Sequence, residues 1–476
     1  MPLAARSPLG VLLCGGQHSS PGDSRVDVRQ AIDHGPFTGS QLRAVSLCFF
    51  LNVLDGVDVG SISFAGPVLS SQWGIDAQTF GLVASAALAG MMAGSMLIAP
   101  FGDAVGRRKL LTLSLTLIAI GMLGVIFAGS LPTLVALRFV TGLGLGGVVP
   151  TMATFAAELS PQRSRAFAVT AVASGYSLGS ALTGLAALWM VPHWGWQSLF
   201  VLGGGLTVIA LPLVLLFLPE SLEFLLGKQP PGALERINGS LRALRLPPLT
   251  ALPPKAVADT RPRLEQVGSA LIGLLAPGYL RATLLLWIAF PTSLLTLYFL
   301  QSWVPQLTSN AGLPNSLAFL SGTILNLGLF VGNASVGWFG DRFGLRRSIA
   351  TYLGAGAILL LGFSYLQSTA AMLIGLGALG VMQGGFLGLY AVGAKIYPAA
   401  NRVTGIGWAA GIGRLGAVLG PSLAGYLVAG GRGMTGTFLL FALPLAVAAV
   451  AVAAMRSPEL GAPARVAPRA TADARG

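Results

Sequence analysis

Charge is what this sequence has least of. Asp, Glu, Lys and Arg make up 9% of it, against about one quarter in an ordinary soluble protein. Hydrophobic residues make up 54%, and the mean hydropathy is +0.76. So little charge cannot clothe a solvated surface. This excludes an array of soluble domains, although 476 residues would be long enough for several. Cysteine is nearly missing as well: Cys14 and Cys48 cannot build a disulfide framework. Histidine is limited to His18, His34 and His193, all expected in tails or loops. No metal site and no cofactor is expected.

What the chain has instead is long apolar runs. Twelve can be marked, each long enough to cross ~30 Å of hydrocarbon at 1.5 Å per residue. Their limits are 42–68, 79–100, 110–130, 132–157, 166–190, 197–218, 281–306, 316–338, 349–367, 370–396, 404–428 and 434–455. Continuous runs, not short alternating ones, exclude a β-barrel. The 65 glycines suit helices that pack closely in lipid. Between the sixth and seventh runs lies a polar stretch with "KQPPG" and "PPLTALPPK". The expected architecture is an all-α polytopic membrane protein with twelve transmembrane helices. Residues 1–41 form an N-terminal tail, 42–218 a first six-helix half, 219–280 a central linker, 281–455 a second half, and 456–476 a C-terminal tail. "VLLCGG" faintly resembles a lipoprotein cleavage site, but its apolar run is short and Leu13 stands where a small residue is wanted. "NGS" at 238–240 matches a glycosylation acceptor but falls in the linker and reads as chance.

A net charge of +13 could suggest nucleic acid, but the positions of the charges speak for lipid. Apart from Arg138, Lys395, Arg414 and Arg432, every Lys and Arg falls in the tails, the linker or loops expected on one side, or at the edge of a run there, as Arg43 and Arg281 do. That asymmetry places both termini and the linker in the cytoplasm. The partner is the bilayer, not nucleic acid. The halves also repeat at a nearly constant offset. "GDAVGRRK" at 102–109 returns as "GDRFGLRR" at 340–347, and "ELSPQRSR" at 158–165 as "KIYPAANR" at 395–402. "SLG" at 177–179 matches "RLG" at 414–416, and "PE" at 219–220 matches "PE" at 458–459. Two halves of equal orientation form a parallel repeat, with a binding site expected near mid-membrane between them.

On these features the sequence resembles the major facilitator superfamily over nearly all of 42–460. The superfamily's signature loop corresponds to "APFGDAVGRRK", which keeps Asp103, Gly106, Arg107 and Arg108 but has Ala104 where arginine is usual. The second copy offers Asp341, Arg342, Gly344 and Arg346. The resemblance implies that these residues gate the cytoplasmic end. A narrower likeness lies in "LDGVDVGSISFAGP", "RFVTGLGLGGVVP" and "YPAANRVTGIGWAAGIGRLGAVLGP". They resemble the aromatic acid/proton symporters of the bacterial inner membrane, with the Asp-Gly-x-Asp of Asp55 to Asp58 the most specific match. The likeness implies a monomer that imports a benzoate- or hydroxybenzoate-like anion with protons.

Asp55 and Asp58 lie three apart and share one helix face. A carboxylate in a membrane helix costs several kcal/mol and normally faces a partner or a water-filled path. Two carboxylates together cannot both stay ionised cheaply, so one is a candidate to exchange a proton near neutral pH. The alternative is that both are structural. No other acidic residue lies deep in a run, which leaves this pair as the proton carriers if protons are coupled. Arg138 has two readings, a brace between helix ends or a contact for substrate. Arg414 lies near mid-membrane where the first half has Ser177, so the duplicated fold does not require its charge. Lys395 can snorkel. Tyr176, Tyr298, Trp303 and Trp287 can stack on an aromatic ring, although each alone reads first as packing.

Depth adds one expectation. Counting 1.5 Å per residue, Asp58 and Arg138 differ in depth by only ~6 Å, within reach of a long side chain. An Asp58–Arg138 pair is therefore expected, with Asp55 nearer the level of Arg414. An intramembrane aspartyl protease also needs two membrane aspartates, but would draw them from two helices. No phosphate-binding loop occurs, so ATP is not the expected energy source. Uptake and efflux both stay open at this level.

Overall fold

The computed structural model describes residues 24–254, 271, 273–276, 278–366, 368–397 and 399–455. Among the described residues, eleven helices are long and apolar enough to cross a membrane. A twelfth, Leu345–Gly362, completes the second half; its opening Arg346 and Arg347 dilute the apolar content of only 18 residues. The first half consists of span one (Gly39–Trp73), span two (Ala77–Leu97), span three (Arg107–Gly124), span four (Leu131–Leu159), span five (Gln162–Trp194) and span six (Gln197–Phe217). The second consists of span seven (Leu280–Asn310), span eight (Asn315–Phe343), span nine (Leu345–Gly362), span ten (Thr369–Gln383 continuing as Gly385–Ile396), span eleven (Ala399–Ala429) and span twelve (Met434–Ala453).

Spans one, four, five, seven, eight and eleven outrun the apolar stretches that announced them. Hydropathy marks the hydrocarbon thickness, whereas helix ends are set by caps. Span one begins at a capping box, in which Thr38 accepts the Gln41 amide and the Gln41 side chain accepts the Thr38 amide at 2.6 Å. It ends at Gly74 with φ +62°. Asp76 caps span two by accepting the Thr79 amide at 2.9 Å, and bonds from Thr79 hold its carboxyl below the usual carboxylate range. Span ten, expected as one run, is interrupted at Gly384, where the amide turns to the Val381 carbonyl at 3.1 Å. Such a local tightening at glycine is a recognised cause of kinks.

Duplication shows in the packing. Span five lies so close to span one that a Cβ at Gly179 would strike the Val53 carbonyl. Its counterpart in the repeat, Gly416 of span eleven, meets the Pro291 carbonyl of span seven in the same way. Gly142 against Ala87 and Gly380 against Leu325 repeat the relation for spans two and four and spans eight and ten. Small residues allow these backbone contacts, which supply the van der Waals packing that holds helices together in lipid.

The halves meet through spans one and seven, two and eleven, and five and eight. Ser63 donates to the Gln301 carbonyl, Ser85 to the Val418 carbonyl at 2.7 Å, and Ser422 to Ser85 at 2.8 Å. Phe64 meets Phe319 edge to face at 6.3 Å. All of these contacts lie in the part of the bundle remote from the arginine-rich loops. At the arginine-rich end, tail and linker are not featureless. The helices Ser24–His34, Leu222–Lys228 and Ala233–Ala243 bury Val28, Ile32, Leu225, Ile237 and Leu241 in a small core of their own.

Candidate functional site

Span one carries both aspartates to the middle of the bundle, buried at 3% and 0% exposure. Gly56 between them explains the motif's spacing, since a side chain there would collide with the Tyr176 carbonyl of span five. Glycine lets the two backbones touch, and this brings Tyr176 beside Asp55. Asp58 faces span four. Its two oxygens meet the two terminal nitrogens of Arg138, with Nη2 donating to Oδ2 at 3.1 Å. Arg138 is 1% exposed and its guanidinium lies over the Phe200 ring at 5.7 Å. The pair expected from depth therefore forms, bidentate and fully enclosed. Such geometry is what a buried ion pair needs to offset its desolvation.

Asp55 is differently placed. Its Oδ1 is buried and has no hydrogen-bond partner among the described residues. It lies within electrostatic reach of Asp58 and of Arg414. Arg414 comes from the second half, and its Nη1 donates across the interface to the Met91 carbonyl of span two at 3.2 Å. Tyr176 and Tyr298 stand between the halves with ring centroids 6.5 Å apart. The Tyr176 hydroxyl donates to the Gln301 side chain, whose Nε2 is buried and unpartnered among the described residues. Ser177, the repeat counterpart of Arg414, accepts from Asn333 of span eight at 3.4 Å. Charge from one half thus faces charge from the other, with phenols and an amide between.

Trp303 stands apart from this group. It is fully buried, donates its indole N–H to the Pro421 carbonyl at 2.9 Å and meets Phe80 edge to face at 5.1 Å. Trp287 pairs with Trp408 within the second half at 6.4 Å. Sequence reasoning missed Gln301, and also Tyr390, which lies within electrostatic reach of Arg414 and packs on Phe290 at 5.0 Å. It missed Gln383 too, whose side-chain nitrogen and oxygen are both buried without a partner among the described residues. The signal was available for the glutamines, because an amide deep in an apolar run is costly unless it has work to do.

The signature loops lie at one end of the bundle. Gly106 and Gly344 adopt φ +111° and +90°, conformations that favour glycine, and each starts the following span. Arg107 pairs with Glu158 and lies 3.6 Å from Glu223. The Arg108 amide donates to Glu220 at 3.1 Å. In the second copy, Arg342 lies over the Trp338 ring at 5.6 Å and Arg346 donates to the Met455 carbonyl at 2.7 Å. Asp341 is exposed, and the side chain of Asp103 lies outside the described residues.

Two repeated six-helix halves enclosing a polar, charged site at mid-bundle define a membrane transporter and not an enzyme. The sequence profile of the Major Facilitator Superfamily matches residues 48–391 and 286–474, and the chain belongs to that superfamily. It is 32% identical over 441 residues to the gallate transporter of Pseudomonas putida, covering 91% of this chain and 96% of that one. It is also 32% identical over 431 residues to the 4-hydroxybenzoate transporter PcaK of Acinetobacter baylyi, covering 90% and 94%. Within the superfamily it thus sits with the aromatic acid carriers that the Asp55–Asp58 motif resembled. Among solved structures, the xylose transporter XylE from E. coli in a partially occluded inward open conformation matches with a TM-score of 0.67 at 16% identity. That match covers 87% of this chain and 97% of the other, and shows a shared fold.

Proposed function

We propose that this protein carries an aromatic carboxylate, of the benzoate or hydroxybenzoate kind, into the cell together with protons by alternating access. The observation that carries the reading is the confrontation of Asp55 in one half with Arg414 in the other across the Tyr176–Tyr298 pair. The names of the relatives, gallate and 4-hydroxybenzoate transporters, support the same substrate class. In this reading the Arg414 guanidinium receives the carboxylate by two parallel hydrogen bonds. Tyr176 and Tyr298 border the ring, while Trp303, which stands apart, braces the contact of span seven with Phe80 of the other half and Pro421 of its own. Asp55 takes up a proton because a lone carboxylate beside an incoming anion in a low-dielectric site is costly. Anion and proton then favour each other's binding. Asp58, paired with Arg138, fixes spans one and four around the site.

The signature-loop residues Asp103, Gly106, Arg107, Arg108, Asp341, Arg342, Gly344 and Arg346 serve as the gate at the cytoplasmic end. The positive-inside pattern supports placing that end, both termini and the linker in the cytoplasm. The test is uptake of a labelled panel of benzoate-type acids by cells expressing the protein, at two external pH values. Accumulation should be greater at the acidic pH and collapse with a protonophore. Failure to accumulate any of the acids, or accumulation indifferent to the pH gradient, would overturn the reading.

A further inference from the structure

A cavity of about 690 Å³ opens at the arginine-rich end, away from the mid-bundle site. Its walls are the beginnings of spans one and three, the end of span six, and the linker helix Ala233–Ala243 lying over them. Four basic side chains line it: Arg43, Arg108, Lys109 and Arg236. The side chains of Arg43, Lys109 and Arg236 make no hydrogen bond or ion pair among the described residues. Arg108 donates to the Leu215 carbonyl, but its Nε is buried without a partner among the described residues. The cavity's acid, Glu220, is already engaged, accepting the amides of Arg108 and Ser221 at 3.1 Å each. The cavity is therefore an unbalanced positive site.

Its lower edge is apolar and faces outward. Leu215, Leu216 and Phe217 at the end of span six are 46%, 75% and 52% exposed, and Leu42 beside Arg43 is 57% exposed. These residues close an apolar span, where the helix meets hydrocarbon. A soluble anion would use the basic groups and leave this edge unused. A ligand with a phosphate head and acyl tails would use both. We propose that this cavity binds the headgroup of an anionic phospholipid. The phosphate is held by Arg43, Arg108, Lys109 and Arg236, and the chains run along Leu215–Phe217. The lipid then joins the linker helix to spans one, three and six. The bilayer's charge thereby reaches the connection between the two halves.

The experiment uses the full chain purified in mild detergent and offered phosphatidylglycerol or phosphatidylcholine, with bound lipid counted by native mass spectrometry. The chain should retain phosphatidylglycerol in preference. Removing two basic groups in Arg43→Gln/Arg236→Gln should weaken that retention by roughly ten- to thirty-fold. Arg43→Lys/Arg236→Lys, which keeps the charge, should restore it, and the control Arg163→Gln, at the exposed start of span five, should leave it unchanged. Monodispersity and unfolding temperature are read on each variant, and the lysine variant keeps the test decisive if the glutamine variant misfolds. Equal retention by the glutamine and unsubstituted chains would overturn the proposal. So would displacement of the lipid by millimolar inorganic phosphate, which would make the site one for a soluble anion.

Discussion

Two aspartates three residues apart have opposite surroundings. Asp58 is closed off by a bidentate arginine, whereas Asp55 keeps a buried, unpartnered oxygen. Substitution should separate them. Asp55→Asn should abolish accumulation driven by a pH gradient while leaving exchange of internal for external substrate, measured as counterflow. Normal accumulation would remove Asp55 from coupling. Asp58→Asn should instead act on stability, because Arg138 is left buried and unpaired, at a cost of about 3–5 kcal/mol. Its unfolding temperature should fall, and adding Arg138→Gln should recover part of the loss. An unchanged unfolding temperature in the single variant would mean the pair braces nothing. Arg414→Lys keeps the charge but loses planar two-point contact, so the half-saturating substrate concentration should rise by at least about tenfold. The Asp58–Arg138 pair was legible in the sequence, because rise per residue alone sets the depth of two side chains on antiparallel helices. Gln301 and Tyr390 were not, since which face of a helix looks across to the other half depends on rotation, and an almost uniformly apolar helix carries no moment to reveal it.

Helices here are placed by glycine as much as by hydropathy. At Gly179 an added methyl has the Val53 carbonyl in its way, whereas at Gly205 nothing lies within 4 Å. Gly179→Ala should cost about 1–3 kcal/mol through overpacking, with Gly205→Ala near neutral, read as unfolding temperature in detergent. If both behave alike, the contact of spans one and five is looser than described. The spans themselves and their duplication could be read from apolar runs and echoed loops. The break at Gly384 could not, because a glycine within an apolar run is unexceptional in membrane helices. Nor could the helices of tail and linker. Leu222–Lys228 and Ala233–Ala243 are only 7 and 11 residues long, and such short helices form because they share a core with Ser24–His34.

Seen whole, the molecule is held shut on one side. Ser85 and Ser422, from opposite halves, have hydroxyls 2.8 Å apart. A Ser85→Cys/Ser422→Cys variant should cross-link under mild oxidation, lose uptake, and regain it on reduction. Uptake that persists after complete cross-linking would show that this seam does not open during the cycle. The seam is built from serine hydroxyls and main-chain carbonyls, with no ionised side chain among Ser63, Ser85, Ser422 and their partners. The opposite end of the first half carries ions instead, Arg107 pairing with Glu158 of span four and lying 3.6 Å from the exposed Glu223 of the linker. Dissolved salt acts on these two kinds of contact unequally. Raising ionic strength shortens the Debye length from ~10 Å at 0.1 M to ~3 Å at 1 M, which loosens exposed ion pairs and leaves hydroxyl–carbonyl bonds nearly untouched. Electrolyte therefore acts on the ionic contacts that tie the linker to the first half, and leaves the serine seam between the halves nearly untouched.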